Sequence, residues 1–123
     1  MSASREELIE RRLIALESLT PELEGAAVIS VEGLMIASRL PSVLTDDLMA
    51  SMSAAMLALG ERIAHDLKRG ELSQVFIRGE FGYVLLMAVN ESAVLTALAS
   101  EEAKLGLLFL DMKQAVVDLR QLL

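Results

Sequence analysis

His65 is the only histidine in the 123-residue chain, and there is no cysteine. A catalytic imidazole needs a nucleophile beside it and an acid to orient it. The neighbours of His65 are Arg62, Asp66, Lys68 and Arg69, which supply no nucleophile. They read instead as the charged end of a helix, where cations suit the dipole. One histidine without cysteine cannot assemble the usual zinc site. Lack of cysteine also removes disulfides, iron–sulfur clusters and thiolate nucleophiles. Carboxylates adjoin at Glu6-Glu7, Asp46-Asp47 and Glu101-Glu102. A carboxylate pair can perform acid–base chemistry, but each of these stands at an expected helix start, where capping and the dipole account for it. Neither a phosphate loop of the G-x-x-x-x-G-K-[ST] type nor a G-x-G-x-x-G fingerprint occurs. Gly79 and Gly82 bracket a turn. Asn90-Glu91-Ser92 matches a glycosylation sequon inside another tight turn. The residues therefore nominate no catalytic, cofactor-binding or metal-binding group, and the expectation is a non-enzyme without cofactor.

Apolar residues make up 54% of the chain and charged residues 24%, a globular balance sufficient for one core. A single domain spanning 1–123 is expected. Eighteen acids against eleven bases give a net charge of −7. This argues against nucleic acid as partner, because phosphate contacts need clustered Lys and Arg. Met1 to Glu10 has no basic segment followed by an apolar run. The longest apolar stretch, Tyr83–Ala99, is broken by Asn90-Glu91-Ser92, so membrane insertion is not expected. A cytoplasmic location is the corresponding expectation.

Periodicity supplies the elements. Ile9, Leu13, Leu16 and Leu19 recur at helical spacing behind Ser4 as cap, predicting a helix over about 6–19 that Pro21 ends. Two apolar runs around Glu32-Gly33 predict a hairpin over about 26–38. Thr45-Asp46-Asp47 opens a long helix to about Arg69, stopped by Gly70; such a helix is about 36 Å long. Leu72–Arg78, Tyr83–Val89 and Ala93–Ala99 predict three strands in a meander. The last two are nearly unbroken apolar runs, as in strands covered on both faces. A final helix starts near Glu101 or Glu102, with Leu105, Leu108, Phe109, Met112, Val116, Leu119 and Leu123 on one face. The order α-β-β-α-β-β-β-α predicts an α/β fold, a three-layer α/β/α sandwich around five antiparallel strands.

The long helix carries more apolar surface than one side of a sheet can cover. Leu48, Met52, Ala55, Leu59 and Ile63 form one stripe; Met49, Ser53, Met56, Gly60 and Leu67 form another. A helix apolar beyond one stripe is buried on more than one side. The strand Leu72–Arg78 would in addition leave an exposed edge. Together these predict a homodimer, with Met49, Met52, Ala55, Met56, Leu59, Leu72, Val75 and Phe76 at its interface.

The hairpin Val28-Ile29-Ser30-Val31-Glu32-Gly33-Leu34-Met35-Ile36-Ala37-Ser38, the Ala-rich long helix and the segment Ala103-Lys104-Leu105-Gly106-Leu107-Leu108 follow one another. In that order and spacing the chain resembles the Roadblock family of dynein-light-chain-like and MglB-like domains. Glu32 stands where the family usually has Asp in its D-G-x-x-x-A-S hairpin. The resemblance covers nearly the whole chain. It implies the same sandwich, with the long helix alone on one face, and a homodimer in which long helices pair and third strands meet edge to edge. It also implies a non-catalytic adaptor that binds a small Ras-like GTPase. On that reading Ser51, Ala58, Arg62, His65 and Arg69 are the candidate partner-binding residues, with Arg62 and Arg69 bringing positive charge to an acidic molecule. Two other classes compete. A small-ligand sensory module, or a scaffold subunit of a larger complex, should show a few convergent polar groups, and the strands offer only Ser30, Ser38 and Thr96. A hydrolase lacks a nucleophile–base set.

Overall fold

The starts of the first two helices are each set by a local hydrogen bond that the sequence encodes. Ser4 Oγ accepts the Glu7 amide at 3.2 Å and opens α1 (Arg5–Leu19). Thr45 Oγ1 accepts the Leu48 amide at 3.1 Å and opens α2 (Asp46–Asp66). Both satisfy amides that have no partner inside the helix. The computed structural model describes residues 2–123. Between and after these helices lie β1 (Leu23–Ser30), β2 (Met35–Arg39), β3 (Gln74–Gly79), β4 (Gly82–Ala88), β5 (Ala93–Ala99) and α3 (Leu105–Arg120). The element order is the one that the periodicities predict.

The five strands form one sheet in the order β2-β1-β5-β4-β3, with every neighbouring pair antiparallel. The β1–β2 hairpin closes through Ser30 N–H to the Leu34 carbonyl at 2.8 Å, with Gly33 at φ +92° in its turn. β1, β5 and β4 are central and apolar, while β2 and β3 are the two edges.

Three helices cover the sheet unequally. α1 and α3 share one face, over a continuous core that includes Ile9, Leu13, Leu16, Val28, Leu85, Leu95, Leu108, Met112 and Leu119. They are tied to each other by Arg12 Nε donating to Asp118 Oδ2 at 2.6 Å and by Thr20 Oγ1 donating to Asp111 Oδ2 at 2.8 Å. Arg120 Nε donates to the Val89 carbonyl at 2.7 Å, anchoring the end of α3 beyond β4. α2 lies alone on the other face, over a smaller cluster of Ala27, Ile29, Met49, Ala50, Leu57, Leu86 and Val94.

Two helix boundaries differ from the sequence expectation. α2 ends at Asp66 rather than Arg69, because Lys68 takes φ +59° and Gly70 φ +85°. The helix therefore has 21 residues and a length of about 31 Å. α3 begins at Leu105, with Lys104 as an N-cap that has no side-chain hydrogen bond. Glu101 and Glu102 instead occupy a turn closed by Ala103 N–H to the Ser100 carbonyl at 3.0 Å. This acidic pair precedes the helix and does not cap it.

Candidate docking surface

Of the second expected stripe of α2, Met49 and Ser53 are buried, Met56 and Gly60 are partly buried, and Leu67 lies past the helix end, 64% exposed. Met49, Ala50, Ser53 and Leu57 face the sheet and are buried. On the far side Leu48, Met52, Leu59 and Ile63 stay exposed, Met52 at 57% and Leu59 at 60%, with Ala55 among them. Five apolar residues at helical spacing are thus left without cover in the protomer. Met49 corrects the expected interface set. It is 6% exposed and packs between α2 and the sheet. The two stripes sit side by side around the helix, and periodicity alone does not say which one a protein's own sheet will cover.

The exposed stripe leans toward the edge strand β3. α2 crosses β3 at Gly60, where a Cβ would stand 2.8 Å from Val75 Cγ2 and 2.9 Å from Leu72 Cδ2. Only glycine permits that approach. At about 100° per residue, Met52, Met56 and Ile63 lie on the flank of α2 that points the same way as Gly60. β3 pairs with β4 alone, so its other side carries unpaired backbone groups. Val75, opposite Leu86, faces α2, and so does Ile77, which is half exposed. Leu72 and Val75 are partly buried against the α2-side cluster. Phe76 points to the other face of the sheet, where its ring meets Phe109 edge-on at 6.0 Å. Of the expected interface set, Met52, Ala55, Met56 and Leu59 share one outer surface of α2. Leu72 and Val75 line its border with β3. Leu48, Ile63 and Ile77 belong to the same surface and were absent from the expected set, although Leu48 and Ile63 continue the stripe at helical spacing.

The candidate partner-binding residues gather on the opposite flank. Ser51, Ala58 and His65 lie on the side where Ala54 approaches the β1–β2 hairpin at Gly33. Arg62 is near the crest and reaches Asp66 at 3.6 Å, with both side chains well exposed. His65 Nδ1 lies 3.3 Å from Asp66 Oδ1 in the open. Arg69 falls beyond the helix end. Its amide bonds the Ala64 carbonyl at 2.7 Å and its Nε donates to the Leu67 carbonyl at 3.1 Å. Arg69 therefore turns back on the terminus of α2 and is not part of a helical stripe. A broad open groove nearby is lined by charges of both signs, including Glu61, Lys68, Glu71, Lys113 and Arg120. Among the described residues no group of three or more His, Cys, Asp or Glu is placed to hold a metal ion, and no helix is long and apolar enough to cross a membrane.

An open antiparallel five-stranded sheet, with one long helix on one face and two helices on the other, defines the class of this domain. The Roadblock/LC7 domain family matches residues 12–99, and the chain belongs to that family. The uncharacterized protein MJ1340 of Methanocaldococcus jannaschii is 33% identical over 113 residues, covering 92% of this chain and 97% of the relative. Among solved structures, MglB of Myxococcus xanthus superposes with a TM-score of 0.87 at 20% identity, over 98% of this chain and 91% of that one. A Roadblock/LC7 domain from Streptomyces avermitilis gives 0.86 at 20% identity, over 91% and 94%. At those identities the structural likeness carries the fold.

Proposed function

We propose that this protein is a non-catalytic homodimeric platform that binds a small Ras-like GTPase and modulates its activity or location. The observation that carries the dimer is one continuous surface. The uncovered stripe Leu48, Met52, Ala55, Leu59 and Ile63 adjoins the unpaired edge of β3, with Ile77 on the same face. A second copy related by a two-fold axis covers both at once, helix on helix and strand beside strand, because such an interface uses the same patch twice. The GTPase half rests on membership of the Roadblock/LC7 family and on the fold likeness to MglB. In the paired arrangement the flank with Ser51, Ala58 and His65, and the crest residue Arg62, stays open on each protomer. Arg62 then steers an acidic partner surface.

The test is a pull-down and GTP-hydrolysis assay with each small GTPase of the source organism, in both nucleotide states. Binding of at least one GTPase is expected, as is no hydrolysis by the isolated protein. A well-folded dimer that binds none of them overturns the GTPase reading. If one binds and Arg62→Glu leaves its affinity unchanged, the partner stands and this docking flank is wrong.

A further inference from the structure

Two hydroxyl groups are buried between α2 and the sheet without a partner. Ser53 and Thr96 are each 1% exposed, and neither Oγ of Ser53 nor Oγ1 of Thr96 makes a hydrogen bond. Both belong to the same layer. Thr96 sits on the central strand β5 opposite Ala27 of β1 and Leu86 of β4, which are both in the α2-side cluster. Ser53 lies on the sheet-facing side of α2, one turn from Met49 and Leu57 of that cluster. A buried hydroxyl without a partner is costly, and alanine at 53 with valine at 96 would fill nearly the same space without it. The surroundings suggest what the hydroxyls contribute. The layer between α2 and the sheet includes the small side chains Ala27 of β1 and Ala50 of α2. Apolar contact is non-directional, so such a layer resists sliding of the helix along its axis only weakly. A directional polar contact fixes register, which is the best-attested use of buried polar groups.

We infer that Ser53 and Thr96 form a register pin between α2 and the sheet, their hydroxyls joined through one buried water. A shared water satisfies two such groups at once. The pin sets where α2 sits along the sheet and hence where its outer stripe stands relative to β3. It is a property of the protomer, so it stands or falls apart from GTPase binding.

The experiment compares Ser53→Ala, Thr96→Val and the double variant by thermal melting at one fixed protein concentration, with amide hydrogen exchange on each. Each single substitution strands the other hydroxyl and is expected to lower Tm by about 4 °C. The double removes both hydroxyls and is expected to melt within about 2 °C of wild type. In the double, α2 amides should exchange roughly tenfold faster while α1 and α3 keep their protection, since only the seat of α2 has lost its directional contact. Thr96→Ser retains the hydroxyl and should retain α2 protection. Additive effects of the two substitutions overturn the pairing. Unchanged α2 exchange in the double, or lost protection in Thr96→Ser, overturns the register role.

Discussion

The two faces of the sheet solve opposite problems. On the α1/α3 face, long side chains such as Ile9, Leu13, Leu85, Leu108 and Met112 fill the space between layers, and the helices are cross-tied by Arg12–Asp118 and Thr20–Asp111. That face is complete within one chain. On the α2 face the packed layer is smaller, includes Ala27 of β1 and Ala50 of α2, and carries two unpartnered hydroxyls. Its helix offers a second apolar stripe to the outside. The first face is covered within the protomer; the second leaves an apolar stripe uncovered. On the proposed reading, a surface kept for a partner has to remain apolar without helping its own core, and α2 would separate those two duties around its circumference.

Substitutions on the two faces should therefore give different kinds of damage. The largest effect is expected from Ala55→Glu. It places a charge in the middle of the uncovered stripe, and burying it unpaired between two copies should cost about 3–5 kcal/mol of association. Residue 55 is exposed in the protomer, so unfolding measured under monomeric conditions should barely change. Met56→Glu should weaken both, because Met56 also packs on the α2-side cluster. Next comes the core itself. Leu85→Ala, at a fully buried position of the larger core, should cost about 4 kcal/mol in denaturant unfolding. Leu57→Ala, under α2, should cost about 2–3 kcal/mol. Equal losses would mean that the two faces are packed alike. A smaller effect is expected at Gly60→Ala. The added Cβ gains about 1 kcal/mol of helix propensity but meets Val75 Cγ2 at 2.8 Å. Since Val75 is β-branched and stiff, the expected outcome is a net loss of about 1 kcal/mol with weakened dimerisation. Arg12→Ala should cost about 1 kcal/mol of stability, through loss of its bond to the partly exposed Asp118, and leave association untouched.

Much of the fold was legible because each element has an unambiguous period or stop. Ser4 and Thr45 announce their helices, Pro21 and Pro41 end segments, and the apolar runs of β4 and β5 require cover on both sides. The surplus of apolar surface on α2 was equally plain. Its assignment was not. Met49 and Met52 are the same residue type three positions apart, and only the packed sheet shows that the first is inside and the second outside. Glu101-Glu102 imitates the acidic first turn of a helix, yet the chain makes a separate turn before Leu105. The early end of α2 depends on Lys68 adopting a left-handed conformation, which its residue type does not signal. The flank bearing Ser51, Ala58 and His65 depends on how α2 crosses β3 at Gly60; the glycine marks a close approach, but not which element it meets. That Ser53 and Thr96 would be buried without hydrogen-bond partners was not legible, since serine in an Ala-rich helix and threonine in a strand are both commonplace.

The most direct test of the central claim is the solution mass of the unmodified protein, measured by sedimentation equilibrium over a micromolar concentration series. A platform built on the outer stripe of α2 and the free edge of β3 has the mass of two chains throughout that range, and Ala55→Glu reduces it to one. A single-chain mass for the unmodified protein at the top of the series would contradict it.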